Sequence, residues 1–245
     1  MSHVDRRHSQ TQDRYAADDL ETMQEATRYT AHVFNLFRPH IGARVLEVGC
    51  GIATMSRLLA EISEEVVAIE PNENCAVLAR QAMRDAPNFS LRHELLEHTD
   101  PQELASHRFD TVFCVNVLEH IEDDVEALRT FREAIVPGGH VLIFVPAVQA
   151  AFGPLDSALG HYRRYSKKQL SKAFVDADLE VLSMRYTNPI GLIGWWVNAR
   201  ILKSASHSRR QVRLFDRWVA PWALRLERLI PMPIGLSLTA VARRR

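Results

Sequence analysis

Two carboxylates and a glycine bend are the first residues in this sequence whose types and spacing imply chemistry. Glu47 sits in the apolar run Val45-Leu46-Glu47-Val48, and Gly49 and Gly51 follow at once. Glu70 ends the next apolar run, Val66-Val67-Ala68-Ile69. Short β-branched and aliphatic runs of this kind mark strands buried on both faces. The glycines permit a tight turn, and Met55-Ser56-Arg57-Leu58-Leu59-Ala60-Glu61 has helical spacing. A strand, a glycine turn and a helix start together offer backbone N–H groups and a positive helix terminus to a ligand. The acids decide which ligand. A dinucleotide fingerprint counted from Gly49 wants a third glycine where Thr54 stands, and a carboxylate at Glu47 repels a pyrophosphate. Glu47 suits a cationic ammonium or sulfonium, and Glu70 is placed to hold a ribose diol.

The segment Glu47-Val48-Gly49-Cys50-Gly51-Ile52-Ala53 resembles the first motif of the class I S-adenosylmethionine-dependent methyltransferases, an acid followed by G-x-G-x-G, with Ala53 in place of the last glycine. A second stretch, Arg108 to Asp124, extends the likeness. It reads as an apolar strand, a polar turn and a helix beginning near Asp123-Asp124, where acids favour the positive helix end. The resemblance covers about residues 40–147. The run His161-Tyr162-Arg163-Arg164-Tyr165 is similar to one in a bacterial branch of the type 11/12 kind. The resemblance implies an α/β fold with a Rossmann-like, doubly wound, seven-stranded sheet: five parallel strands and a last pair with one antiparallel member. It also implies S-adenosyl-L-methionine as cofactor. The matching positions are Glu47, Gly49, Cys50 and Gly51 in the loop, Glu70 and Pro71 at the second strand tip, and Asn116, Val117 and His120 facing the methyl group. Glu94 and the backbone of Leu95 match the adenine contact, with Glu97 as the alternative acid. The first helix, Asp19 to Phe37, commonly lies over the cofactor in this fold, so Tyr29 either reaches the site or packs under its helix.

Methyl transfer from a sulfonium is an in-line displacement, so the protein chiefly aligns the reactants and excludes water, which contributes roughly 7–11 kcal/mol in favourable cases. A hydroxyl acceptor also benefits from a base, by about 10²–10⁴-fold. His161 is the candidate base because imidazole titrates near neutrality, with Asp156 or Tyr162 orienting it and His120 in reserve. Arg163 and Arg164 are placed to hold an anionic part of the acceptor. The alternative for His161 and the tyrosines is that they rivet this loop to the core. The eleven histidines show no zinc-site spacing with companion cysteines, so no metal is expected. No G-x-S-x-G elbow or G-K-[ST] loop is present.

The 245 residues suffice for one large domain with an embellishment. Residues 1–18 read as a mobile polar tail, 19–188 with 236–245 as the methyltransferase domain, and 189–235 as a helical insertion where a strand hairpin is normal. Ser166 is expected to cap a helix over Lys167 to Ala177, and strands are expected near Glu180–Tyr186 and Gly235–Arg243. Three cysteines without metal spacing point to a reducing cytoplasm. No signal peptide and no apolar run of the ~18 residues that a membrane span requires is found. Net charge is zero, yet residues 185–245 carry 12 basic and 2 acidic residues. In the insertion Leu214, Phe215, Trp218, Val219, Trp222, Leu226 and Leu229 make an apolar stripe with arginines beside it. Three uses stay open for it: a lid over an apolar or anionic acceptor, peripheral docking on an anionic membrane, or a homodimer contact. The favoured partner is a small-molecule or lipid-like acceptor of natural-product, quinone or glycolipid type. A nucleic-acid or protein substrate bound by the basic tail is the alternative. Against nucleic acid, the first 184 residues are net acidic and Asn116-Val117-Leu118-Glu119 stands where an N/D-P-P-Y/F motif would follow the fourth strand.

Overall fold

The computed structural model describes residues 20–197, 209–229 and 232–245. The expected N-terminal tail and part of the insertion lie outside these. Seven strands form one sheet: β1 Arg44–Val48, β2 Glu65–Ile69, β3 Phe89–Arg92, β4 Phe109–Val115, β5 Ile135–Pro146, β6 Leu179–Thr187 and β7 Ser237–Arg244. Their order is β3-β2-β1-β4-β5-β7-β6, and β7 runs antiparallel to both neighbours while the other pairings are parallel. The strand order reverses between β1 and β4, the place where open α/β sheets bind ligands beyond their carboxyl ends.

Side-chain alternation assigns each face its cover. On β1, Leu46 and Val48 join Val67, Ile69, Val112 and Cys114 on one face. Helices α4 (Pro101–Ser106), α5 (Asp124–Ala134) and α7 (Lys167–Asp176) cover that face with Leu104, Leu128, Phe131, Leu170 and Phe174. Val45, Val66, Phe113 and Leu142 face the other way, under Phe34 and Phe37 of α1 (Thr27–Phe37) and Leu59 of α2 (Thr54–Ala60). Glu47 shares the parity of Val45, so its carboxylate is directed toward the α2 side. Helix α3 (Glu73–Ala82) starts where Asn72 accepts the Cys75 N–H at 3.0 Å, and α7 starts in a Ser166–Gln169 capping box.

The expected single helix from Asp19 to Phe37 is two: residues 20–23 are helical, a turn follows, and α1 begins at Thr27. Val136-Pro137-Gly138-Gly139, whose proline and glycines would suit a turn, is a bulged part of β5, since Phe109 pairs with Ile135 and Thr111 with His140. Strand β3 ends at Arg92, so Glu94 and Leu95 lie in the loop beyond it. In the insertion, α8 (Pro189–Val197) is followed, beyond the undescribed stretch, by α9 (Arg209–Leu214). A π-turn, Phe215–Val219, leads on into α10 (Ala220–Leu229). A short α6 (Pro154–Ala158) precedes α7.

Candidate active site

The β1 loop is built from main chain. Gly49 and Cys50 donate to the Ile69 carbonyl at 2.8 and 3.3 Å, tying the bend to the tip of β2. Gly49 has φ +72°, and a Cβ there would lie 2.2 Å from Cγ2 of Val117, so glycine lets the β1 and β4 loops pass each other. Ala53, at the position of the missing glycine, also adopts the left-handed region, with φ 64°. Its methyl is buried with Cys50, Ala68, Ala79 and Met83, so the substitution fills the core side of the bend.

Glu70 accepts the Gly51 N–H at 2.7 Å and the Asn72 N–H at 2.9 Å, holding the loop and the start of α3 to one carboxylate. Glu47 is buried, and its Oε2 has no hydrogen-bond partner. Burial pushes its pKa up to about 7; a hydrogen bond from Ser56 works against that and the charge of Glu70 adds to it. A buried carboxylate with one oxygen unpartnered and no counter-charge, beside a glycine bend, fits a cationic ligand, because a positive charge supplies what is missing. Pro71 follows Glu70 at the same tip, and its carbonyl lies 3.1 Å from Nε2 of His93.

The other expected cofactor positions are more scattered. Glu94 forms a 2.9 Å ion pair with Arg92, Leu95 is exposed, and Glu97 is exposed in the next turn. Asn116 takes φ 55° and donates its N–H to the Phe144 carbonyl at 2.8 Å, turning the chain out of β4 and setting Val117 over Gly49. Tyr29 is placed away from this seat. Its hydroxyl lies near Asn188 and Ser237 at the β6–β7 tips, and burial raises its pKa to about 12. Since β4 and β5 separate β7 from β1, the structure ties Tyr29 to the insertion side.

A polar cluster fills the acceptor side. Asp156, completely buried, receives the Gly153 N–H at 2.9 Å through Oδ2. Its Oδ1 meets His161 Nδ1 at 2.9 Å and Arg164 Nε at 2.8 Å. Burial alone would raise the Asp156 pKa, yet the His161 hydrogen bond and the Arg164 guanidinium outweigh it and hold the group below its ordinary value. A carboxylate only accepts hydrogen bonds, so Nδ1 of His161 carries the proton and Nε2 is left as the basic nitrogen. Nε2 lies 4.0 Å from Oε1 of Glu119, and the His120 ring stands edge-on to His161 at 4.6 Å between centroids.

The structure reassigns three residues of this segment. Tyr162 is 54% exposed and meets the cluster through its backbone N–H on the Glu119 carbonyl, so Asp156 alone orients His161. Arg164 is buried on Asp156, with its guanidinium 4.5 Å from the Trp195 ring centre. Arg163 pairs with Asp124 at 3.0 Å and donates to the Glu122 carbonyl. Both arginines are engaged in holding the segment rather than free to meet an anionic acceptor.

Glu119 lies within the Asn116–His120 stretch that the resemblance sets against the cofactor, but the sequence does not single it out. It is fully buried, neither carboxylate oxygen has a hydrogen-bond partner, and burial raises its pKa to about 8. The signal was an acid between Leu118 and His120 just past the β4 tip. Ligand-capable atoms of Glu119, His120 and His161 lie within 4.8 Å of one another, a convergence no spacing in the sequence announces.

A strand-order switch point, a glycine bend tied to an acid at the β2 tip, and a buried histidine–aspartate pair beyond β5 lie together at the carboxyl end of a Rossmann-like sheet. The family model described as a methyltransferase domain matches residues 10–184, and the chain belongs to that family. By fold and family it is a class I S-adenosylmethionine-dependent methyltransferase, with S-adenosyl-L-methionine as its cofactor. It is 31% identical over 103 residues to the ubiquinone biosynthesis O-methyltransferase of Xanthomonas euvesicatoria pv. vesicatoria, and 30% identical over the same length to that of Xanthomonas campestris pv. campestris. The match spans 42% of this chain and 42% of each relative, less than half the length of either. Among solved structures, an S-adenosylmethionine-dependent methyltransferase from Mesorhizobium loti superposes with a TM-score of 0.58 at 18% identity, covering 86% of this chain and 95% of the other. The N-methyltransferase NodS from Bradyrhizobium japonicum, in complex with S-adenosyl-L-homocysteine, gives 0.57 at 14%, covering 89% and 86%. These two show a shared fold.

Proposed function

We propose that this enzyme methylates a hydroxyl group on a small, apolar, lipid-like acceptor, with His161 as general base. The observation that carries the reading is the buried Asp156–His161 pair, which fixes the imidazole tautomer and leaves Nε2 basic. Bound at the β1–β2 tips, the cofactor supplies an electrophilic methyl on a sulfonium. Glu47 would face its positive charge, Glu70 its ribose, and the Gly49–Gly51 bend its amino-acid part. Nε2 of His161 takes the acceptor's hydroxyl proton, and Asp156 holds the ring in place and offsets the charge it gains. Arg164 keeps Asp156 ionised while this happens.

The relatives named for ubiquinone biosynthesis O-methylation support an oxygen acceptor of lipid-like type. His161→Ala should lower kcat by about 10²–10⁴-fold while S-adenosylmethionine affinity, read by calorimetry, stays within about twofold. Near-normal turnover in that variant removes His161 from catalysis. Mass spectrometry of incubated quinol, phenol and glycolipid panels should find one added CH₂ on an oxygen. Methyl groups found instead on RNA or protein would replace this reading with the alternative that uses the basic C-terminal region.

A further inference from the structure

The C-terminal insertion is turned the opposite way from an ordinary packed helix. Over residues 209–223 the buried positions are Val212, Asp216, Ala220 and Ala223, three of them small or polar. The large apolar groups point outward: Leu214 is 49% exposed, Trp218 65% and Trp222 70%. Arg210 and Arg217 are exposed on that same outward side by helical spacing, and the Arg217 guanidinium lies 5.4 Å from the Trp218 ring centre.

The two acids among residues 185–245 are used to fasten the insertion down. Asp216 accepts the Arg28 and Tyr29 N–H groups at 3.2 and 2.9 Å, and so caps α1, whose own preceding residue, Ala26, has no capping side chain. Glu227 accepts the Asn188 N–H at 2.7 Å and faces Nε2 of His32 at 3.4 Å. With both carboxylates turned inward, the exposed positions among the described residues of 209–223 are arginines and large apolar groups. Arg209 and Arg213 pair with Glu21 and Glu25, and Arg210 and Arg217 carry the outward charge. Packing alone does not explain the arrangement, since burying the tryptophans and exposing the alanines would remove far more apolar surface from water.

We infer that this outward face docks on the anionic headgroups of a phospholipid bilayer. Tryptophan is suited to the interfacial layer, where its ring is buried and its N–H stays hydrated, and arginine beside it answers anionic headgroup charge. Among the described residues no helix is long and apolar enough to cross a membrane, so the contact is peripheral. The inference does not depend on which acceptor the enzyme methylates.

Sedimentation of the full chain with phosphatidylcholine vesicles, and with vesicles containing phosphatidylglycerol, tests this. Binding should be at least tenfold stronger to the anionic vesicles and should weaken with added salt. Trp218→Ala with Trp222→Ala, and separately Arg210→Glu with Arg217→Glu, should each lower it about tenfold. Unchanged S-adenosylmethionine binding in both variants reports that the fold is intact. No partition onto anionic vesicles, or equal partition of all three proteins, overturns the proposal. So would a homodimer in solution that the tryptophan variant converts to monomer, because the face would then belong to a second copy.

Discussion

The two halves of the site are made of different material. At the β1–β2 tips the scaffold is main chain: amides of Gly49, Gly51 and Asn72, a left-handed bend, and two acids each adjoining a strand end. Beyond β4 and β5 it is side chain: Asp156 ion-paired with Arg164 and bonded to His161, with Glu119, from about forty residues earlier, buried beside them without a hydrogen-bond partner. A seat made of backbone tolerates substitution so long as the bend survives. A buried ionic cluster does not, because each charge is affordable only while its partner is present.

The sharpest way to break this contrast is to remove one member of the side-chain half. Arg164→Leu leaves Asp156 buried with His161 as its remaining charge partner, and should cost about 3–5 kcal/mol of unfolding free energy in a denaturant titration. A loss under 1 kcal/mol would mean that Asp156 is not ionised in the fold. Next in size, Gly49→Ala tests the main-chain half at its tightest point. Its Cβ would meet Val117 at φ +72°, so about 1–3 kcal/mol of stability should go, together with cofactor affinity. Adding Val117→Ala should return part of the loss, the steric part, and leave the part due to φ.

The smallest effect is a proton. Glu47 has a folded-state pKa of about 7, above the ordinary 4.5, so between those values the folded chain holds a proton that the unfolded chain has released. Its contribution to the stability of the cofactor-free protein is therefore complete below pH 4.5 and is lost as pH rises through about 7. Glu119 acts in the same direction through about 8. A sulfonium beside Glu47 favours its ionised form, so cofactor binding near pH 6 should release a fraction of a proton, measured by calorimetry in two buffers of different ionisation enthalpy. Glu47→Gln should abolish that release; an unchanged release would move the cofactor's charge elsewhere.

Legibility followed the same division. The acid–glycine bend, Glu70 nineteen residues past Gly51, the Ser166 cap and the β7 strand were all readable, because each is set by neighbours in the chain. Glu119 was passed over and Arg163 and Arg164 were misassigned, since whether an arginine faces a substrate or a buried aspartate depends on what the fold brings opposite it. Tyr29 fell on the expected helix, yet its hydroxyl lies near Asn188 and Ser237, residues more than 150 positions away. The apolar stripe of the insertion was equally visible, but periodicity gives a face without saying whether it looks inward.

By itself the sequence determined which strands are buried, where the glycine bend falls and that its pocket suits a cation, because alternation, turn chemistry and charge are local properties. Only the tertiary structure decided that Asp156 orients His161, that Glu119 sits unpaired beside them, and that Trp218 and Trp222 point outward while Asp216 caps a helix from the far end of the chain. Those outcomes depend on burial and on contacts between distant segments, and both exist only once the chain has closed on itself.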